Sequence, residues 1–169
     1  GRAARIDGLT QVPNRGEFER VAALEWRRGV RSKLPLSLLI VDVDRFKAYN
    51  DQFGHLRGDG ALRHVAGAIA EACGRASDTV ARFGGEEFAA ILPDTNATAA
   101  LNVAERIRQT VIALELDHPG AVAGGFVTVS VGAATVVPAP GRSLTALVEL
   151  ADERLLAAKR AGRNRVAGD

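Results

Sequence analysis

The sequence predicts an α/β fold, a mixed central β-sheet surrounded by helices. Three observations predict it. One is a strand-sized apolar run at Leu36–Val43. The second is an alternating run at residues 126–134. The third is a set of amphipathic stripes at helical spacing around both. Residues 14–31 read as a helix, because Phe18, Val21, Ala22 and the Leu24-Glu25-Trp26 stretch recur near the 3.6-residue period and Pro13 precedes them as a start signal. Leu36–Val43 is broken only by Ser37 and is too short for a helix, so it reads as a strand buried on both faces. Residues 45–50 allow one or two helical turns. Gly54, Gly58 and Gly60 punctuate a loop, after which residues 60–73 place Leu62, Val65, Ala66, Ile69 and Cys73 on one helical face.

Residues 79–83 and 88–92 are short β-like runs joined by Gly84-Gly85-Glu86-Glu87, a hairpin in which the glycine pair tolerates positive φ. Thr95 or Asn96 caps a further helix, with Val103, Ile107, Val111 and Leu114 inward. Over residues 126–134, Val127, Val129 and Val131 alternate with Thr128 and Ser130. Ser143 opens a last helix with Leu144, Leu147, Val148, Ala151 and Leu155 inward, and Gly162 is its C-terminal cap.

A chain of 169 residues, 47% hydrophobic and 25% charged, is one ordinary globular domain, which excludes disorder and fibrous repeats. No apolar run reaches the roughly 18 residues of a membrane span, and no signal region opens the chain. A formal charge of +2 demands no nucleic-acid-binding face, so no nucleic-acid partner is expected. The single cysteine, Cys73, reads as a small core residue of a protein in the reducing cytoplasm. Residues 1–6 read as the stub of an upstream region, and residues 7–169 as the domain.

The chemistry collects at two strand ends. Asp42 and Asp44 share a face at the end of their strand, and a hard cation with oxygen ligands would relieve their repulsion. Capping of the next helical turn explains the pair equally well. Gly84-Gly85-Glu86-Glu87 alone is a solvated turn. Set beside Asp42, it brings three or four carboxylates to one sheet edge, and such a cluster implies cations. No P-loop is present. Lys47 follows the Asp pair, and Lys159 and Arg163 flank Gly162 closely enough to reach one anion. Taken alone, that last pair is better explained as partners of the helix dipole. His64 reads as a surface residue, and His118 lies in a Pro-Gly loop.

Gly84-Gly85-Glu86-Glu87-Phe88 resembles the signature of GGDEF domains, the bacterial diguanylate cyclases, in its Glu-containing form. Asp7-Gly8-Leu9-Thr10 with Pro13-Asn14-Arg15 resembles the family's opening motif. Asp42-Val43-Asp44-Arg45-Phe46-Lys47, with Asn50-Asp51, Gly54-His55 and Gly58-Asp59, resembles its central motif. Lys159 with Gly162-Arg163-Asn164 resembles its closing motif. The blocks run from residue 7 to 164 in the family's order. Gln11-Val12 replaces the usual Gly-Leu, and Leu156 stands where Tyr is common; neither change removes a metal or phosphate ligand.

The resemblance implies a fold similar to the palm of nucleotide polymerases and adenylyl cyclases. It also implies condensation of two GTP to cyclic di-GMP with release of two pyrophosphates. Carried over by position, Asp42, the Val43 carbonyl, Glu86 and Glu87 would hold Mg²⁺ (or Mn²⁺), with Glu87 alternatively helping to deprotonate the attacking 3′-hydroxyl. Lys47, Glu86 and Glu87 form the implied catalytic set. Phe46, Asn50, His55 and Asp59 belong to the implied substrate site, with Asn50 and Asp59 on the guanine edge. Lys47, Lys159 and Arg163 would neutralise the triphosphate, and Gly84 and Gly85 would let it lie against the hairpin. Arg75 and Asp78, with Arg106, resemble the inhibitory site that binds cyclic di-GMP. The resemblance further implies a catalytic homodimer and an upstream sensory domain, and leaves room for attachment to a membrane through a larger protein. The rival readings are a non-enzymatic cyclic di-GMP receptor and a related cyclase of looser base choice.

Overall fold

Leu36–Val43 forms β1, the central strand of the computed structural model, which describes residues 2–121 and 124–169. All eight of its residues are buried, as expected for an apolar run with no polar face. The remaining elements are α1 (Arg15–Ser32), α2 (Phe46–Phe53), α3 (His55–Ala72), β2 (Thr79–Arg82), β3 (Glu87–Pro93), α4 (Ala97–Ile112), β4 (Val129–Val136), α5 (Leu144–Arg160) and β5 (Val166–Ala167). The strands make one mixed sheet in the order β2-β3-β1-β4-β5. β1 is antiparallel to both β3 and β4, and β5 joins β4 in parallel.

Alternation along β1 divides the core. Leu39, Val41 and Val43 pack with residues of α2, α3 and α4 on one face. Leu36, Leu38 and Ile40 pack with Phe18 and Ala22 of α1 and Leu147, Ala151 and Leu155 of α5 on the other. Cys73 is buried in the first core, and burial pushes its thiol up to about 12, as suits a packing residue. Helix starts follow side-chain caps: Asn14, Asn96 and Ser143 each accept a backbone N–H from the first turn.

Several boundaries differ from the sequence expectation. α3 begins at His55 rather than residue 60, so Gly58 and Gly60 lie inside a helix instead of a loop. Gly58 leaves room there for the Asn50 side chain: a Cβ would meet Asn50 Oδ1 at 1.8 Å, because α2 and α3 abut at Gly54. Gly84 and Gly85 do not adopt positive φ. Their bend is held instead by Arg82, whose Nη2 donates to the Gly85 carbonyl at 2.7 Å, and by Arg15, which donates to the Phe83 carbonyl at 2.9 Å. β4 starts at Val129, since β1 ends opposite it at Val43 and residues 127 and 128 bond to loop backbone. β5, two residues long, is too short to show a period in sequence.

Residues 4–6 are tied to the domain. The Ala4 carbonyl accepts from the Asn14 side chain, and Ile6 bridges Pro13. No described helix is long and apolar enough to cross a membrane.

Candidate active site

The register of β1 against β3 places Asp42 opposite Glu87, and the Val43 N–H donates to the Glu86 carbonyl at 3.1 Å. Three acids from two distant sequence motifs thus meet at one end of the sheet. Lys159, on the last turn of α5, reaches across and bonds Asp42 Oδ2 at 2.7 Å. A cavity of about 190 Å³ opens here, with Asp42, Asp44 and Glu86 as its anionic lining and Arg45, Lys47, Lys159 and Arg163 as its cationic lining. Clefts of about 350 and 360 Å³ lie elsewhere, but neither combines both signs of charge in this density.

The field within the site disfavours its own carboxylates. Burial pushes the Asp42 carboxyl up to about 6, Glu86 and Glu87 push it the same way, and Lys159 opposes them. Burial also raises Glu87, assisted by Asp152 and Glu86 and opposed by Lys159 and Arg15. Acids held in such a place favour a positive ligand.

Asp44 behaves differently from the sequence expectation. Its carboxylate accepts from the Thr128 and Ser130 hydroxyls and the Asn164 N–H. Asp42, Asp44, Glu86 and Glu87 thus converge at one edge as the motifs suggest, but the Asp44 carboxylate is already taken by these donors. Among the described residues, no three His, Cys, Asp or Glu side chains stand as a ready cation cage. What remains, Asp42 and Glu86 in the lining of one cavity with Val43, is a donor set that fits Mg²⁺. That ion is usually held by one or two carboxylates and completed by substrate phosphates.

The other sequence-selected residues divide. Asn50 and Asp59 lie on α2 and α3, and Asn50 Oδ1 is buried without a hydrogen-bond partner among the described residues. Phe46 is only 8% exposed and its ring stacks on Tyr49, so it is chiefly a core residue at the cavity floor. His55 is exposed at the start of α3 and does not line the cavity. Gly85 faces open space, and a Cβ on Gly84 would meet the Glu87 carboxylate at 2.9 Å.

Arg75 and Asp78 lie just before β2, apart from the hairpin tip. Arg75 Nη2 donates to Asp78 at 2.9 Å, to the Pro93 carbonyl at 2.5 Å and to Thr95 Oγ1 at 2.7 Å. Arg106, on α4, donates to the Ala72 carbonyl.

Three features escaped sequence reading. Arg82 ties the hairpin to Asp7, 75 positions away. Asp44 holds Asn164. His118 is buried, with Nε2 3.1 Å from the Arg45 carbonyl and its ring edge-on to Tyr49. Contacts this distant in sequence carry no local pattern to read.

The family model "Diguanylate cyclase, GGDEF domain" matches residues 4–165. The chain belongs to the GGDEF family. This GGDEF domain is 43% identical over 134 residues to diguanylate cyclase A of Treponema denticola, covering 79% of this chain and 35% of that one. It is 40% identical over 164 residues to diguanylate cyclase DosC of Escherichia coli K12, covering 95% and 34%. The chain thus spans about a third of the length of these curated relatives. Its fold superposes on the GGDEF domain of DgcB from Caulobacter crescentus, solved in complex with c-di-GMP, with a TM-score of 0.87 and 36% identity, covering 97% of this chain and 92% of that one.

Proposed function

We propose that this GGDEF domain condenses two GTP molecules to cyclic di-GMP, releasing two pyrophosphates. The observation that carries the proposal is the desolvated Asp42, set beside Glu86 and Glu87 and countered by Lys159 alone. A carboxylate so placed is poised to exchange its ammonium partner for a stronger cation. Asp42, Glu86 and the Val43 carbonyl, with Glu87, would hold Mg²⁺ or Mn²⁺. That ion, when bound, neutralises phosphate charge and aligns the attacking and leaving oxygens.

The chain's own residues supply the rest. Lys159, released from Asp42, is free for the triphosphate, and Lys47 and Arg163 line the same cavity. Phosphoryl transfer needs such positioning and neutralisation more than covalent chemistry. Glu87 joins the cation set or takes the proton of the 3′-hydroxyl. The unpartnered Asn50 Oδ1 and the Asp59 carboxylate are suited to guanine N1–H and N2–H, a donor pair adenine lacks. One domain holds one GTP, so the bond forms across a two-fold homodimer. Its assembly falls to an upstream sensory domain. Arg75 and Asp78, with Arg106, form a feedback site for cyclic di-GMP, in which guanine O6 and N7 replace the present acceptors of Arg75. The cytoplasm, where GTP is found, is the compartment this reading implies.

The test is Asp42→Asn and Glu86→Gln, assayed with GTP and with ATP in Mg²⁺ by chromatography. Both variants should keep the fold and lose product formation, and ATP should give no product with the parent. Near-parental turnover in either variant would refute the site.

A further inference from the structure

We propose that Asp44 is a positioning residue: it clamps the turn that carries Arg163 against the end of β1, and acts on nucleotide binding through Arg163 rather than through a cation. The inference rests on the nucleotide reading above and assigns a separate role within that site. Asp44 is 3% exposed. Its Oδ1 accepts from Ser130 Oγ at 2.6 Å, and its Oδ2 accepts from Thr128 Oγ1 at 2.8 Å and from the Asn164 N–H at 2.9 Å. Both oxygens are already engaged, Oδ2 with two donors, which leaves a hard cation at most the second lone pair of Oδ1. Among the described residues Asp42, two residues earlier, has only Lys159 as a side-chain partner.

The bond from Asn164 is the informative one. After α5 the chain passes through three successive positive φ values: Gly162 at 126°, Arg163 at 64° and Asn164 at 45°. Two of these are not glycine, and such conformations persist only where neighbours over-determine them. The Arg163 N–H closes α5 by donating to the Ala158 carbonyl at 3.0 Å, as in a Schellman cap. The Asn164 N–H then has Asp44 as a charged acceptor, the strong kind of backbone hydrogen bond. Arg108 adds a side-chain tether, donating to Asn164 Oδ1 at 3.1 Å. Arg163 sits between these anchors and lines the cavity of Asp42 and Glu86. Without the Asp44 charge the turn keeps its α5 cap and the Arg108 tether but loses its anchor to the end of β1, and Arg163 loses its aim.

The test is calorimetric titration of α,β-methylene-GTP in Mg²⁺ into the parent, Asp44→Asn, Arg163→Ala and the double variant. Asp44→Asn should bind about tenfold more weakly, and Arg163→Ala similarly. The double variant should be no more than about twofold weaker than Arg163→Ala, because the clamp then has nothing to present. The Mg²⁺ concentration for half-maximal analogue binding should not change in Asp44→Asn. A tenfold rise in that concentration, or losses that multiply to about a hundredfold in the double variant, would overturn the clamp.

If Asp44→Asn does not fold, Asn164→Gly and Asn164→Val ask the same question. Glycine suits positive φ and a β-branched residue resists it, so valine should lose about tenfold and glycine no more than about threefold. Equal losses would overturn the proposal. A parent that binds no analogue refutes the nucleotide reading itself, and removes the clamp's ligand with it.

Discussion

Ionising Asp42 in the folded chain works against its burial and against the charges of Glu86 and Glu87. Its folded pKa of about 6 lies above the ordinary 3.8, so between these values the native state holds a proton that the unfolded chain has released. Stability from this group is full below about pH 4 and is lost as pH rises through 6. Denaturation of Asp42→Asn should therefore match the parent near pH 4 and exceed it at pH 8 by up to about 3 kcal/mol. An Asp42→Asn variant equally less stable at both pH values would show that the Lys159 bond outweighs the burial. Cation binding needs the ionised carboxylate, so the Mg²⁺ requirement should climb as pH falls below 6.

Arg75 is a residue of a different kind. Arg75 is half exposed but the Asp78 side chain is only 4% exposed, and Arg75 also bonds the Pro93 carbonyl and Thr95 Oγ1, so its removal should cost about 1–3 kcal/mol of stability. Arg75→Ala should still fold and retain turnover, yet lose at least about tenfold in cyclic di-GMP affinity by calorimetry. Product binding equal to the parent would make Arg75 a surface ion-pair residue only.

At the scale of elements, the junction of α2 and α3 carries Asn50 and Asp59, the residues proposed to face guanine. Gly58→Ala would drive a methyl group into Asn50 Oδ1, the end of a side chain that can swing aside. It should cost about 1–3 kcal/mol of stability and a larger share of GTP affinity, since the displaced group is the one proposed to face the base. The contrast is Gly132→Ala in β4. There a Cβ meets the Ala151 carbonyl oxygen at 2.1 Å and the Leu155 nitrogen at 2.3 Å, backbone atoms of α5 that cannot step back. That variant should lose stability first, as read from its melting temperature.

These two glycines also show what sequence discloses. β1 was legible to the residue because an unbroken apolar run has a single physical explanation. The start of α3 was not, because glycine reads as a loop signal locally, and only the neighbouring helix reveals that it leaves room for the Asn50 side chain. Asp42, Glu86 and Lys159 were legible as motif residues, and the structure brings them together. The duty of Asp44 was not legible, since its partners Thr128, Ser130 and Asn164 lie 84 to 120 positions away.

At the scale of the whole molecule, each domain presents one set of acids and one set of cations at one end of one sheet. In the proposed reaction two such ends face each other so that two nucleotides can join. The rate should therefore rise more steeply than protein concentration, and fusion to a dimeric coiled coil should raise specific activity through effective concentration. Constant specific activity from a monomer over a wide dilution series would contradict this arrangement.

The most direct measurement is the stoichiometry of that fused dimer with GTP and Mg²⁺, counting cyclic di-GMP by mass spectrometry and pyrophosphate by enzymatic assay. One cyclic di-GMP and two pyrophosphates are expected for every two GTP consumed, and neither product from the same fusion carrying Asp42→Asn. A fused dimer that binds GTP yet releases no cyclic di-GMP, or releases pyrophosphate without it, would refute the proposed condensation.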